Sequence, residues 1–211
     1  MGRLCNKVFG LGLLLLIPGA VGLAQELAIE DAAVYASPEA PLRRHMTIVI
    51  HNGVIAEAGE HVRIPKAIQR ISCQGCVVLA GFWNAHVHFM EPKWNDAAHL
   101  PAERLTRQLS EMLTHSGFTT VVDTGSEVEN TVALRNRIES GGVSGPRIFT
   151  AGIPLYPAHA LPFYLADVPA EVKAKLGQPE TAADAKALVD KNRAAGADIV
   201  KLFTGSIVRP N

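Results

Sequence analysis

Apolar and polar positions follow two different patterns along the chain. Up to about residue 80, short apolar runs alternate with turn residues, which predicts β-strands. The strongest signal is Asn52-Gly53 between two apolar runs, which predicts a β-hairpin because both positions tolerate positive φ. Further short strands are predicted around Leu27–Tyr35, Gln69–Cys73 and Val77–Leu79. We therefore expect residues 25–76 to form a small β-sandwich-like segment.

From Val77 onward, strands alternate with helices. The predicted strands are Val77–Phe82, Phe118–Val122, Arg147–Ala151 and Ile199–Phe203. This alternation implies parallel βα units and an α/β fold. Four such units predict that residues 77–211 form the first half of a (β/α)₈ TIM-type barrel. Because a whole barrel takes about 250 residues, we expect the chain to be truncated.

Three helices are predicted between these strands. The first has Pro101 in its first turn, ends at Gly117 and carries a repeating apolar face. That face consists of Leu105, Leu109, Met112 and Leu113. Ser126 and Glu129 have the spacing of a capping box for the second helix. Thr181 is expected to cap the third.

The N-terminal 24 residues have the pattern of a secretory signal peptide. Arg3 and Lys7 precede an apolar run, and small residues up to Ala24 offer a cleavage site. We therefore expect export to the periplasm or the exterior, and no membrane association after cleavage. The alternative is an uncleaved anchor helix, although the apolar run is shorter than a membrane span.

Charge and cysteine content narrow the function classes. Lys plus Arg and Asp plus Glu both number 20, so the formal net charge is zero, which argues against a nucleic-acid partner. The mature chain retains Cys73 and Cys76, spaced CQGC. Export is compatible with a local disulfide, but the interpretation that we favour is a tight turn with two incidental cysteines.

Candidate metal chemistry lies in GFWNAHVHF, residues 81–89. His86 and His88 are two residues apart at a predicted strand end, so their imidazoles project from one face. Two neutral imidazoles make half of a divalent-metal site. Asn84 shares their parity and is a candidate for the substrate pocket. From the spacing alone, a pair of hydrogen-bonded polar histidines remains the alternative.

Three other residues are candidates for the site. Lys201 lies among apolar residues of the fourth predicted strand, where desolvation would favour a neutral, reactive amine. A partly exposed lysine is the alternative. His159, in a proline-rich loop, is a candidate pocket residue, with a surface histidine as the alternative. Asp123 ends the second strand and is interpreted either as support for a metal ligand or as a turn contact.

Several segments together resemble the amidohydrolase superfamily, particularly its imidazolonepropionase-like and Xaa-Pro dipeptidase-like branches. They are GFWNAHVHF after a β-rich segment ending in VVLAG, GFTTVVDTGS, GIPLYPAHALPFY and VKLFTGS, in that order. The resemblance implies that His86, His88 and Lys201, the last as a carbamate, are metal ligands. It implies two Zn²⁺ ions, with Mn, Fe or Co as other candidates.

The resemblance also implies a function. It predicts hydrolysis of C–N bonds in a small-molecule, cyclic amide or dipeptide substrate through a metal-activated hydroxide. Two later histidines and the general-acid aspartate of the family have no counterpart in this sequence. The alternative is a catalytically incompetent fragment, with little or no turnover on its own. Because a half barrel leaves a strand edge unpaired, we also expect poor solubility or homo-oligomers.

Overall fold

The computed structural model describes residues 26–158, 160–165 and 167–203. The predicted signal peptide and His159 lie outside the described residues. Within these described ranges, no helix has the length and apolar character needed to cross a membrane. The described residues divide into two compact units, with the boundary between Leu79 and Ala80.

The described residues contain eight strands, four α-helices and three short 3₁₀ turns. The strands are β1 (Leu27–Val34), β2 (Arg43–His51), β3 (Val54–Gly59), β4 (Gln69–Ser72), β5 (Val77–Val78), β6 (Phe82–Val87), β7 (Phe118–Asp123) and β8 (Arg147–Thr150). The helices are α1 (Ala102–Met112), α2 (Val128–Glu139), α3 (Ala170–Lys173) and α4 (Ala182–Ala194). The 3₁₀ turns are Pro92–Trp94, Thr114–Ser116 and Phe163–Leu165.

The first unit is built on one five-stranded sheet. Its order is β3-β2-β1-β4, and β5 also pairs with β1. The predicted hairpin is confirmed, because Asn52 and Gly53 adopt φ values of 53° and 74° between antiparallel β2 and β3. The described residues of this unit form a single sheet, whereas a sandwich-like segment implies two. The reason is that β4 and β5 both join β1, so the short later strands extend the first layer.

The apolar run that was predicted as one strand, Val77–Phe82, is split in the structure. Val77 and Val78 form β5, and the Val78 carbonyl accepts a hydrogen bond from Tyr35 N–H. Phe82 instead begins β6, and its N–H donates to the Gly117 carbonyl. The prediction of a single strand over Val77–Phe82 is therefore wrong.

The second unit contains a parallel sheet of the order β6-β7-β8. Helix α1 connects β6 to β7 and α2 connects β7 to β8, which confirms the α/β class. Most of the predicted apolar face of α1 is buried, with Leu105 and Leu109 both at 0% exposure and Met112 half-buried. Leu105 and Leu109 belong to one core with Val121 and Ile148 of the sheet.

The predicted fourth strand, Ile199–Phe203, is reduced to one bridge among the described residues. Leu202 pairs in parallel with Leu155, and two backbone hydrogen bonds flank this bridge. The neighbouring segment contains Pro154 and Pro157, which have no N–H to donate to a longer ladder.

The two predicted helix caps have different outcomes. Ser126 does not cap α2, whose N-cap is Glu127 without a side-chain hydrogen bond. The Ser126 hydroxyl instead donates to Asp123 and accepts from Phe89 N–H. The cap at Thr181 is confirmed, because Thr181 and Asp184 form a reciprocal capping box at the start of α4.

Replacing Thr181 with alanine is expected to destabilise the second unit by about 1 kcal/mol. The pKa of Asp184 is lowered, chiefly by the hydrogen bond from the Thr181 side chain. A carboxylate with a lowered pKa stabilises the fold above its unfolded pKa, and this contribution disappears as the pH falls through the folded pKa. The difference in free energy of unfolding between T181A and the parent chain should therefore become smaller in acid.

The measurement is urea unfolding followed by tryptophan fluorescence. The chain has two tryptophans, Trp83 and Trp94, and both lie in the second unit. T181S keeps the hydroxyl and is the matched control. An equal loss of stability for T181S and T181A, or a loss of stability that does not change with pH, would contradict the role of the capping box.

Candidate metal centre

His86 and His88 lie side by side at the C-terminal end of β6. Val87 between them is 5% exposed and belongs to the core, so the two histidines point to the opposite face. Their ring centroids are 5.2 Å apart with an interplanar angle of 70°. The alternation of a strand thus produces the shared face that the sequence predicts.

The pairing of β6 with β7 brings a turn of the chain next to His88. Val87 is in register with Asp123, and Thr124 N–H donates to the Val87 carbonyl. Residues 123–126 consequently turn beside the histidine. The Nδ1 of His88 lies 2.9 Å from the Gly125 carbonyl oxygen. Because a carbonyl only accepts, Nδ1 carries the hydrogen and Nε2 keeps a free lone pair.

Gly125 packs closely against Pro154 in this turn. It adopts a φ of 151°, and a Cβ there would lie 2.5 Å from Pro154 Cγ and 3.7 Å from His88 Cε1. A larger residue would have to displace the proline, whereas its Cβ would be in ordinary van der Waals contact with the His88 ring.

Asp123 is a fully buried carboxylate at the centre of this turn. Its Oδ1 accepts from Gly125 N–H at 3.1 Å and from the Ser126 hydroxyl at 2.7 Å. Its Oδ2 accepts from the hydroxyls of Thr150 at 2.8 Å and Thr131 at 3.3 Å. Oδ1 also lies 4.0 Å from His88 Nδ1. Of the two interpretations left open for Asp123, the turn contact is therefore present, and it fixes the loop that holds His88.

The other candidate residues take different positions. The Asn84 side-chain oxygen accepts from His86 N–H at 3.1 Å, which fastens it to the strand backbone. Lys201 is half-buried, and its Nζ lies 5.1 Å from the Phe203 ring centroid. Backbone bonds connect this segment to Leu155, whose N–H donates to the Lys201 carbonyl at 2.9 Å. His159 lies outside the described residues.

The electrostatics of the site favour a neutral His86. Desolvation lowers the pKa of His86, and electrostatic interactions with Lys201 and then with His88 lower it further. The neutral imidazole is the form that binds a metal ion.

A divalent metal fits the histidine pair. A metal-binding histidine commonly donates its other ring N–H to a carbonyl or carboxylate, which is the arrangement of His88 and Gly125. Searched over the described residues, no group of three or more His, Cys, Asp or Glu side chains is arranged to hold a metal. The described residues thus supply two imidazoles that could belong to a larger ligand set, with Lys201 as a candidate of different chemistry.

Sequence reasoning missed the hydrogen-bond partners of Asp123. Ser126 was interpreted as a helix cap, and Thr131 and Thr150 were not singled out. The available signal was the polar run after β7, Asp123-Thr124-Gly125-Ser126, whose residue types are typical of a turn that bonds its own backbone.

A profile of the Amidohydrolase family matches residues 77–210, which is more than half of the chain. Similar solved structures include a protein assigned as a prolidase from Bifidobacterium longum, with 25% identity, a TM-score of 0.67 and coverage of 86% of this chain and 41% of that one. They also include an amidohydrolase, with 25% identity, a TM-score of 0.64 and coverage of 84% of this chain and 46% of that one.

A prolidase complexed with N-methylphosphonate-L-proline shares the fold, with 23% identity, a TM-score of 0.65 and coverage of 84% of this chain and 46% of that one. No protein of curated function matches the chain. The chain spans less than half the length of each of these three structures. The match over residues 77–210 shows that the chain belongs to the amidohydrolase family.

Proposed function

We propose that this chain carries part of the active site of a metal-dependent hydrolase of C–N bonds. The observation that supports this most strongly is the His86–His88 pair, whose rings share one face at the end of a parallel strand. Active sites of (β/α)₈ barrels lie at this end of the strands. We extend the proposal to the fold, in which β6, β7 and β8 are the first three strands of such a barrel.

In this proposal His88 and His86 hold the metal through ring nitrogens. The Gly125 carbonyl orients His88 through Nδ1, which leaves Nε2 as the ligand atom. A bound divalent ion would supply a Lewis acid that polarises a substrate carbonyl and lowers the pKa of water. Zn²⁺ is the ion that we propose, since imidazole suits it, and Mn, Fe or Co suit the same donors.

Lys201 is proposed as the third ligand, in the form of a carbamate. Once the ammonium group has lost a proton, its amine would form an N–C bond with carbon dioxide and release a second proton, so the cationic side chain would become an anionic oxygen donor. The half-buried position beside Phe203 and the effect of Lys201 on the pKa of His86 support a location close to the pair.

The proposed substrate is a small amide, cyclic amide or dipeptide. The two structures with 25% identity, an amidohydrolase and a protein assigned as a prolidase, support this class. We also propose that the protein acts outside the cytoplasm, because residues 1–24 have the pattern of a signal peptide.

The test uses the complete reading frame in which these residues occur, purified and loaded with Zn²⁺. It is assayed against N-acyl amino acids, cyclic amides and Xaa-Pro dipeptides, with an ester of each acyl group for comparison. We expect hydrolysis of at least one C–N substrate, its loss on chelation and its return with added metal. Turnover of esters only, or undiminished amide turnover by H86A/H88A, would overturn the proposal.

A further inference from the structure

The CQGC segment forms a disulfide whose two sulfurs have different surroundings. Cys73 and Cys76 are bonded across a turn in which Cys76 N–H donates to the Cys73 carbonyl at 3.0 Å. Cys73 is 6% exposed and lies in the core of the first unit, whereas Cys76 is exposed. An incoming sulfur nucleophile therefore has access to one end of this bond, at Cys76.

A cavity of about 240 Å³ lies beside Cys76. Its lining includes Asp31, Arg44, His45, Gly75 and Cys76, all from the first unit. The exposed sulfur residue thus shares a concave surface with a guanidinium group and a histidine. A guanidinium group stabilises a nearby thiolate and so increases the reactivity of a cysteine.

Asp31 and His45 form a pair on this surface. The Nδ1 of His45 lies 2.7 Å from Asp31 Oδ1, so the carboxylate accepts, Nδ1 carries the hydrogen, and Nε2 is left to exchange a proton. Both residues adopt positive φ, 57° for Asp31 and 56° for His45. Non-glycine residues rarely do so, and such strain is concentrated at functional sites. Here it occurs where the β1–β2 register shifts between Ile29 and Ala32.

A purely structural role explains the disulfide less well. The bridge joins residues three apart in sequence, so it closes a very short loop. In the chain-entropy description, a cross-link restricts the unfolded chain less when its loop is shorter. The turn is already closed by its backbone hydrogen bond.

We propose that Cys73–Cys76 is a thiol–disulfide exchange site, with Cys76 as the attacked sulfur and a dithiol as the partner reactant. A thiolate of the dithiol attacks Cys76 Sγ, a new S–S bond forms, and the Cys73–Cys76 bond breaks. Cys73 leaves as a thiolate and takes up a proton. The second thiol of the reactant then displaces Cys76, so the dithiol is oxidised by two electrons and the protein disulfide is reduced by two. His45 Nε2 receives and returns the protons, and Arg44 stabilises the Cys76 thiolate.

The experiment measures the reactivity of Cys76 in the full chain. Cys73→Ser frees Cys76, and Cys5→Ser leaves it as the sole cysteine. Iodoacetamide alkylation at neutral pH should be about tenfold faster than that of an unperturbed cysteine peptide, because an unperturbed thiol is only a few per cent thiolate. H45N, D31N and R44Q in this background should each lower the rate several-fold.

R43Q is the matched control, since Arg43 lies on the same strand, pairs with Glu60 and is absent from the cavity lining. The parent chain should also be reduced by dithiothreitol without denaturant, while its circular dichroism stays unchanged. A peptide-like alkylation rate that H45N, D31N and R44Q leave unaltered would overturn the proposal. So would a disulfide that dithiothreitol reduces only when the chain unfolds, since that is the behaviour of a structural bridge.

Discussion

Replacing His88 with alanine is expected to weaken Zn²⁺ binding by the chain at least about 100-fold, since loss of a supporting partner alone costs 10- to 100-fold. His88 is one of two imidazoles at the proposed site, and its ring is already oriented by the Gly125 carbonyl. Removing it eliminates a ligand that has little orientational freedom left to lose on binding. Isothermal titration with Zn²⁺, and the visible spectrum with Co²⁺, measure the change directly in the 211-residue chain.

His99→Ala is the matched control for this prediction. His99 is an exposed histidine that pairs with Asp96 at 2.6 Å, so it too could attract a metal weakly. We expect H99A to bind Zn²⁺ like the parent chain and H86A to lose affinity as H88A does. If H88A and H99A bind equally well, the metal is held elsewhere and the proposed centre is wrong.

The elements that the sequence predicts correctly are those whose signals are local. Asn52-Gly53 requires positive φ at both residues and so identifies its own hairpin. Thr181 and Asp184, three residues apart, exchange the hydrogen bonds of a capping box. The histidine pair belongs to this class as well, because strand alternation alone orients both rings to the same face.

What the sequence could not predict depends on pairing between distant segments. Val77 and Val78 are as apolar as Phe82, so the apolar pattern does not divide them. In the structure Val77 and Val78 pair with β1, whereas Phe82 N–H donates to the Gly117 carbonyl, and these different partners place them in separate strands. Ser126 fits a capping box by spacing, but its hydroxyl donates to Asp123 and accepts from Phe89 N–H instead. The contact with Phe89 follows from the β6–β7 register, which no local pattern encodes, whereas the contact with Asp123 is local to the turn.

Replacing Asp123 with alanine is expected to destabilise the second unit by about 3–4 kcal/mol, because each buried donor left without an acceptor costs about 1–3 kcal/mol. The carboxylate is fully buried and accepts from Gly125, Ser126, Thr131 and Thr150. Urea unfolding followed by the fluorescence of Trp83 and Trp94 measures this loss. T131V removes the longest of the four bonds, at 3.3 Å, and should cost only about 1 kcal/mol.

Asp123→Asn separates a role in folding from a role at the metal centre. The Thr150 hydroxyl accepts from Gly152 N–H and donates to Asp123 Oδ2, because a carboxylate oxygen only accepts. An amide nitrogen at that position would leave the hydroxyl hydrogens of Thr150 and Thr131 without their acceptor, so both hydroxyls would have to rotate and accept instead. An amide oxygen there would leave the nitrogen facing Gly125 N–H. Either orientation disturbs the turn whose carbonyl holds His88, and we expect folded D123N to bind Zn²⁺ about 10- to 100-fold more weakly. If D123N loses stability but the folded protein keeps the parent affinity for Zn²⁺, Asp123 serves the fold alone. The His88 ring is then oriented without it.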